Sequence, residues 1–196
     1  MQVLGRDLRD PAQALEVKRH IGVVPEGLAL FENLTSVEYL TFVGRMHSLP
    51  AATIRQRSGD LLEMLQLAGD SRKLTIEYSH GMKKKLAFAA ALLPNPDLLF
   101  LDEPFEGVDA VTSRVIKDLL HNFVNRGSTV FLTSHVLDIV ERLCTHVGII
   151  AQGKLVEQTS LDELRRGSSL EQRFLEQVGA ADVVTQPLNW LETATP

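Results

Sequence analysis

The sequence predicts an α/β fold built on a mostly parallel sheet, and three observations carry that reading. Leu98 to Leu101 and Thr129 to Thr133 are continuous apolar segments rather than alternating ones, the pattern of strands covered on both faces of a parallel sheet. A helical stretch from about Thr112 to Asn125, closed by Gly127, joins them, as a parallel crossover requires. A third short strand, Ile21 to Val24, is stopped by Pro25 and Gly27, and everything from Glu26 to about Leu93 reads as a mostly helical insert.

Within the insert, Thr35 and Glu38 have the spacing of a capping box, and Val37, Leu40 and Val43 give the helix behind it an apolar stripe. After "SLPAAT" a second helix carries Ile54, Leu61, Leu62, Leu65 and Leu67 toward Gly69. "EYSHGMKKKLAFAAALLPNP" is a third, with Ser79 as its cap and Pro94 as its stop. Beyond the Thr129 strand, "HVGIIAQGKLVEQ" predicts a hairpin turning at Gln152-Gly153, and "SLDELRRG" and "SLEQRFLEQVG" predict two short capped helices. The end, "QPLNWLETATP", shows little pattern, and no internal repeat or low-complexity tract is present.

The bulk composition narrows the function classes. The 196 residues, 44% hydrophobic and 23% charged, suit one globular domain or a core with a small subdomain. A net charge of −5 leaves no electrostatic footprint for nucleic acid. The basic run Lys83 to Lys85 reads as a solvated helix face. Cys144, the single cysteine, excludes an internal disulfide and fits a reducing compartment. Its helical spacing from Val136, Ile139, Val140 and Leu143 predicts a buried core thiol. The longest uninterrupted apolar run, Leu86 to Leu93, is far short of the roughly 20 residues a spanning helix needs. "MQVLGRDLRD" has acids where a signal peptide needs an apolar stretch. A soluble protein is expected, with any role at a membrane exercised through a partner.

The chemistry concentrates at strand ends. "LLFLDEP" delivers two adjacent carboxylates, Asp102 and Glu103, to the end of an apolar strand, and "TVFLTSH" delivers His135 to the end of the next. Ligands of open parallel sheets collect at that edge. Ser79 and Gly81 open a helix with small residues, where backbone N–H groups and the helix dipole favour an anion. Asp109 follows just past the acids, where it could orient a loop. Each residue taken alone has a plainer reading: a solvated turn for the acids, a satisfied structural histidine, an ordinary helix cap.

Taken in order, "VVPEG", "YSHGMKKKL", "LLFLDEP", "GVDA" and "TSH" resemble the nucleotide-binding subunit of ABC transporters, from about Gly5 to Gly179. The resemblance implies a RecA-like P-loop NTPase core with an inserted helical subdomain. Residues 1–27 and 94–157 would be the two parts of the core, 28–93 the helical subdomain and 158–196 a C-terminal helical tail. It also implies ATP and Mg²⁺ as ligands, a transmembrane permease subunit as partner, and a second nucleotide-binding subunit, identical or not. In such a dimer each ATP lies between the phosphate loop of one subunit and the signature motif of the other. By position, Asp102 resembles the acid that holds Mg²⁺, and Glu103 the base that polarises the attacking water. His135 resembles the histidine that contacts the γ-phosphate. Glu26 stands where many members have a glutamine that binds water or metal. Ser79, His80, Gly81 and Met82 fall in the signature motif, and Asp109 in the loop that crosses the dimer interface. The implied location is the cytoplasm, on the inner face of the membrane through the permease.

Three departures accompany the resemblance. The signature reads Tyr78-Ser79-His80-Gly81-Met82 instead of Leu-Ser-Gly-Gly-Gln, and Glu26 replaces glutamine; both spellings are familiar among bacterial exporter subunits and point to export. The third is the absence of G-x-x-x-x-G-K-[ST]. The near match Gly148 to Leu155 has leucine where a hydroxyl should ligate Mg²⁺ and lies in the expected hairpin. The family's phosphate loop precedes the stretch that "VLGRDLRDP" resembles, so the chain is expected to begin after it. Three functions remain open: an export ATPase subunit whose N-terminal segment is not included in the 196 residues, a non-catalytic partner offering only its signature face, or an ATPase of the superfamily outside transport. Against the last, only 52 residues separate Glu26 from Ser79, leaving no room for the long coiled coil of chromosome-maintenance proteins. The ribosome-associated type carries tandem cassettes, whereas this chain has one and is acidic.

Overall fold

A computed structural model describes residues 1–167 and 169–179. The chain divides into two compact units, one running from Met1 to His135 and one from Val136 onward.

The first unit opens with a two-stranded antiparallel ribbon, β1 (Gln2–Val3) and β2 (Arg6–Asp7), turning through Leu4 and Gly5, both at positive φ. Helix α1 (Pro11–Arg19) follows, with the Asp10 carboxylate accepting from the backbone of Ala12 and Gln13 and a proline in its first turn, the preferred start for a helix. β3 (Ile21–Val24) then enters the sheet. The insert carries α2 (Ser36–Met46), α3 (Ala51–Met64) and α4 (His80–Leu92). The capping box forms as expected, Thr35 accepting from the Glu38 N–H and the Glu38 carboxylate accepting from the Thr35 N–H at 2.9 Å. β4 (Leu98–Asp102), α5 (Ala110–Asn125) and β5 (Thr129–Thr133) complete the unit.

The sheet order is β3-β4-β5, all parallel, with Ile21, Leu98 and Thr129 in one row and Val24, Leu101 and Leu132 three residues on. One face packs on the helices. Val24, Leu99 and Leu101 join Leu86, Phe88, Ala89 and Leu93 of the α4 stretch and Ile116, Leu120 and Phe123 of α5 in one apolar cluster. Contact between β3 and α4 is so close that a Cβ at Gly22 would meet the Ala91 carbonyl oxygen at 2.4 Å. Glycine is required there because backbone approaches backbone.

The other face departs from the expectation of a sheet covered on both sides. Val23, Phe100 and Phe131 lie in one row across the three strands, and Val23 and Phe131 are each 56% exposed. The Phe100 and Phe131 rings touch each other, with centroids 5.7 Å apart. Continuous apolarity forecasts what a strand is suited to bury. It does not supply the second layer.

The second unit contains α6 (Leu137–Leu143), the hairpin β6 (His146–Ala151) and β7 (Lys154–Ser160), and helices α7 (Leu161–Leu164) and α8 (Leu170–Val178). The hairpin turns at Gln152 and Gly153, both at positive φ, the geometry that two-residue antiparallel turns prefer. The segment resembling a phosphate loop, Gly148 to Leu155, is therefore paired strand and turn. Ser160 and Ser169 cap their helices as the sequence predicts. Cys144 corrects an expectation: it sits just past the end of α6, only part-buried, because the helix stops before its spacing can carry it inward. Burial still raises its thiol pKa. The patternless end of the chain lies outside the described residues.

Candidate functional site

Each functional side chain is placed by the end of an element. β4 ends at Asp102, whose register partner on β5 is Thr133, and the Thr133 hydroxyl donates to the Asp102 carboxylate. Glu103 leaves the strand at φ +42. That left-handed conformation costs a residue with a side chain roughly 1–2 kcal/mol, so its surroundings must hold it. They do so on every side. The Glu103 N–H donates to the Thr133 carbonyl at 3.2 Å. Its own carbonyl accepts from Lys84 Nζ at 2.8 Å and from the Glu106 N–H at 3.3 Å.

The turned backbone carries the Glu103 carboxylate to the end of β5. Oε1 accepts from the His135 backbone N–H at 2.8 Å and lies 2.9 Å from His135 Nδ1, while the Ser134 hydroxyl donates to Oε2 at 3.3 Å. The Glu103 side chain is largely buried and the imidazole largely exposed. The hydrogen bond to Glu103, and then its charge, raise the His135 pKa above the ordinary imidazole value, with Glu106 and Glu26 adding to the effect. Glu26 is exposed in the loop after β3 and is felt by both His135 and Lys84. Asp102, Glu103, His135 and Glu26 thus converge at the C-terminal end of the sheet.

Ser79 caps α4, its hydroxyl accepting from the Met82 N–H at 3.3 Å. His80, Gly81 and Met82 form the first turn. The His80 ring lies against the loop after the acids, where a Cβ on Gly107 would meet its Cδ2 at 2.6 Å; Gly107 has φ +67. A Cβ on Gly81 would come 3.5 Å from the Gly107 carbonyl oxygen, an ordinary contact. Asp109 is the N-cap of α5, accepting from the Thr112 N–H at 2.9 Å and its hydroxyl at 2.6 Å, and these two bonds hold its carboxyl below the usual range.

Sequence reasoning missed Lys84. The basic run is not a solvated face throughout: Lys84 is 1% exposed, because α4 is buried along the line that continues through Ala87, Phe88 and Ala91. A hydropathy pattern assigns a lysine to water, so only the position of Lys84 one turn ahead of buried Phe88 could have signalled it.

Among the described residues, no three His, Cys, Asp or Glu side chains gather into a metal-binding group. Asp102 nevertheless presents an exposed, hard oxygen donor, which suits Mg²⁺ held by one carboxylate with phosphate and water oxygens completing its shell.

Comparisons with known proteins bear on the family and the fold. Residues 1–106 match the family model described as ABC transporter. A daunorubicin resistance ATP-binding protein of Streptomyces coeruleorubidus is 34% identical over 84% of this chain and 52% of its own length. A bacitracin transport ATP-binding protein of Bacillus licheniformis is 36% identical over 77% of this chain and 49% of its own. An uncharacterized ABC transporter ATP-binding protein of Nostoc sp. is 35% identical over 83% of this chain and 48% of its own. The chain spans about half the length of these curated relatives. A solved ATP binding subunit of an ABC transporter superposes with a TM-score of 0.83 at 28% identity, covering 90% of this chain and 75% of that one. With a matching family model over more than half its residues and curated relatives more than 30% identical across most of its length, this chain belongs to the ATP-binding family of ABC transporters.

Proposed function

We propose that this chain is part of an export-type ABC transporter ATPase, in which ATP bound between two such subunits drives a membrane permease. The observation that carries the reading is the Glu103 carboxylate, fixed within 2.9 Å of His135 at the strand end beside Asp102. Phosphoryl transfer to water depends on positioning, charge and an oriented nucleophile, without a covalent intermediate. Glu103 accepts a proton from the attacking water, and its rigid backbone fixes where that water can sit. His135 orients Glu103 and contacts the terminal phosphate when its ring turns outward. Asp102, with Glu26 nearby, would hold Mg²⁺, which when bound neutralises phosphate charge. Ser79 to Met82 present a helix N-terminus to the nucleotide of the partner subunit, and Asp109 fixes the loop beside it.

Export is supported by the exporter-type relatives and by the spellings Glu26 and Tyr78-Ser79-His80-Gly81-Met82. For the permease, the helical insert offers exposed Phe31 and Phe42, edge to face at 5.1 Å, and a cleft between α2 and α3 lined by Val37, Arg45, Ile54, Arg55 and Leu62. No helix among the described residues is long and apolar enough to cross a membrane, so the reading places the chain on the inner membrane face through that partner.

A second reading is a subunit that supplies only its signature face, Ser79 to Met82 at the start of α4, to a complete ATPase. ATP hydrolysis by the purified 196-residue chain is the direct test. Weak ATP binding without turnover is expected, because no backbone cradle and lysine hold the β- and γ-phosphates. Turnover in the ordinary enzymatic range, abolished by Glu103→Gln, would overturn that expectation. Host membranes then separate the two readings: photolabelling by azido-ATP that is retained in Glu103→Gln with hydrolysis lost supports the ATPase, and hydrolysis unaffected by Glu103→Gln supports the signature-only partner.

A further inference from the structure

The structure divides the basic run. Lys83 pairs with Glu32 at 2.8 Å near the surface, whereas Lys84 points inward and is 1% exposed. An ammonium withdrawn from water is costly unless it is hydrogen-bonded and its charge is answered. Here the bond goes to a backbone carbonyl, that of Glu103, at 2.8 Å. Burial pulls the Lys84 pKa below the ordinary lysine value, and the carboxylates of Glu106, Glu26, Asp102 and Glu103 offset part of that penalty.

That carbonyl belongs to the residue at φ +42. A left-handed residue returns to ordinary backbone unless its peptide groups are held. The Glu103 N–H is held by Thr133, and among the described residues its carbonyl has one neutral donor, the Glu106 N–H at 3.3 Å. The charge-assisted bond from Lys84 is the shorter and stronger of the two. If the Glu103 peptide rotated, the carboxylate would leave the His135 N–H.

We propose that Lys84 is a positioning residue, whose buried ammonium clamps the Glu103 carbonyl and thereby fixes the carboxylate that polarises water. The proposal rests on the reading of Glu103 as that base. It also gives the signature motif a mechanical link to the hydrolytic carboxylate within one chain. Lys84 lies two residues beyond Met82 on the same helix, so a shift of the α4 N-terminus moves the clamp. A nonpolar residue of the same length keeps the packing and removes the link.

The test compares Lys84→Met and Lys84→Arg with the unaltered chain, folding being checked by the thermal midpoint. Amide exchange at His135, whose N–H donates to Glu103, is the first readout. It should accelerate about tenfold or more in Lys84→Met and return toward the original rate in Lys84→Arg, since the exchange factor reports the loosened acceptor. In the assembled transporter, kcat should fall about tenfold with KM within about twofold, the signature of an interaction used in the transition state. Unchanged His135 exchange in a folded Lys84→Met protein overturns the proposal. Faster exchange with unchanged kcat instead leaves the clamp in place and rejects Glu103 as the base. Should Lys84→Met not fold, the scalar coupling between Lys84 ¹⁵Nζ and the Glu103 carbonyl carbon in the unaltered protein decides, and its absence overturns the proposal.

Discussion

Glu103 and His135 meet twice: one carboxylate oxygen accepts the backbone N–H of His135 at 2.8 Å and lies 2.9 Å from Nδ1 of the same residue. The pair lies just beyond the ends of two neighbouring parallel strands, so its geometry is set by the sheet register together with the left-handed turn at Glu103. A carboxylate gripped by the backbone keeps its place while the ring, mostly exposed, remains able to turn away.

The contact raises the His135 pKa through the hydrogen bond to Glu103 first and its charge second. The protonated ring is therefore the favoured partner of Glu103 in the folded state. The folded value lies above the unfolded imidazole value. The stability this contributes is fully present below the unfolded pKa and disappears as pH climbs through the raised folded one. Titration of the His135 ring by NMR should give an elevated midpoint that drops toward the ordinary histidine value in Glu103→Gln. An unshifted midpoint in the unaltered protein would mean that the ring does not rest on Glu103 in solution.

Glu103→Gln and Asp102→Asn should separate by phenotype in the assembled transporter. The amide at 103 keeps the side-chain shape but cannot take a proton from water, so nucleotide stays bound and hydrolysis stops. At position 102 the loss falls on the proposed Mg²⁺ ligand, so Mg²⁺-dependent affinity should fall instead. Equal nucleotide affinities and equal residual rates in the two proteins would refute this division of roles.

Phe88 is fully buried where α4 meets the sheet. Phe88→Ala should lower stability by about 3–5 kcal/mol, through lost burial and an unfilled cavity. Thr35→Ala should cost only about 1 kcal/mol, by removing an exposed cap. Urea denaturation distinguishes them by midpoint, and similar losses would show that the α4 site collapses around the deletion.

Most of the secondary structure was legible because its signals are local. Thr35 with Glu38, Ser79, Ser160 and Ser169 announce helix starts by their spacing alone, and Gln152-Gly153 announces a turn by the conformations it permits. Lys84 was not legible, since the acceptor that satisfies its buried ammonium, the Glu103 carbonyl, is 19 positions away in sequence and adjacent only through tertiary packing. Asp109 stands out in the sequence as a candidate position, while its cap bonds to Thr112 depend on α5 beginning at Ala110, two residues before the expected start. α1, with Asp10 as cap and Pro11 in its first turn, follows ordinary start chemistry but carries too weak an apolar stripe to be read as a helix. The open face of the sheet cannot be read from the strands by themselves, because Val23, Phe100 and Phe131 are as apolar as the covered residues opposite them.

That open face leads to the last prediction. Among the described residues β5 pairs only with β4. In a parallel pair, alternate backbone groups point toward the neighbour, so the remaining N–H and C=O groups of Thr129 to Thr133 point away along the free side. Beside them stands Phe131, 56% exposed, with Phe100 against it. An apolar strand with an unpaired edge is a template for another strand, and a second copy of β5 has the matching sequence. The purified 196-residue chain should therefore self-associate at high concentration and dissociate on dilution, as followed by light scattering. Phe131→Lys should shift it toward monomer, since a charge on the open face opposes stacking and gives up only the contact with the Phe100 ring. Hydrogen exchange locates the effect: amides of Val130, Phe131 and Leu132 that face β4 should be protected at every concentration. Those on the free side should gain protection only on association. Uniform strong protection in a monomer that melts cooperatively would show instead that the edge is already covered within the chain.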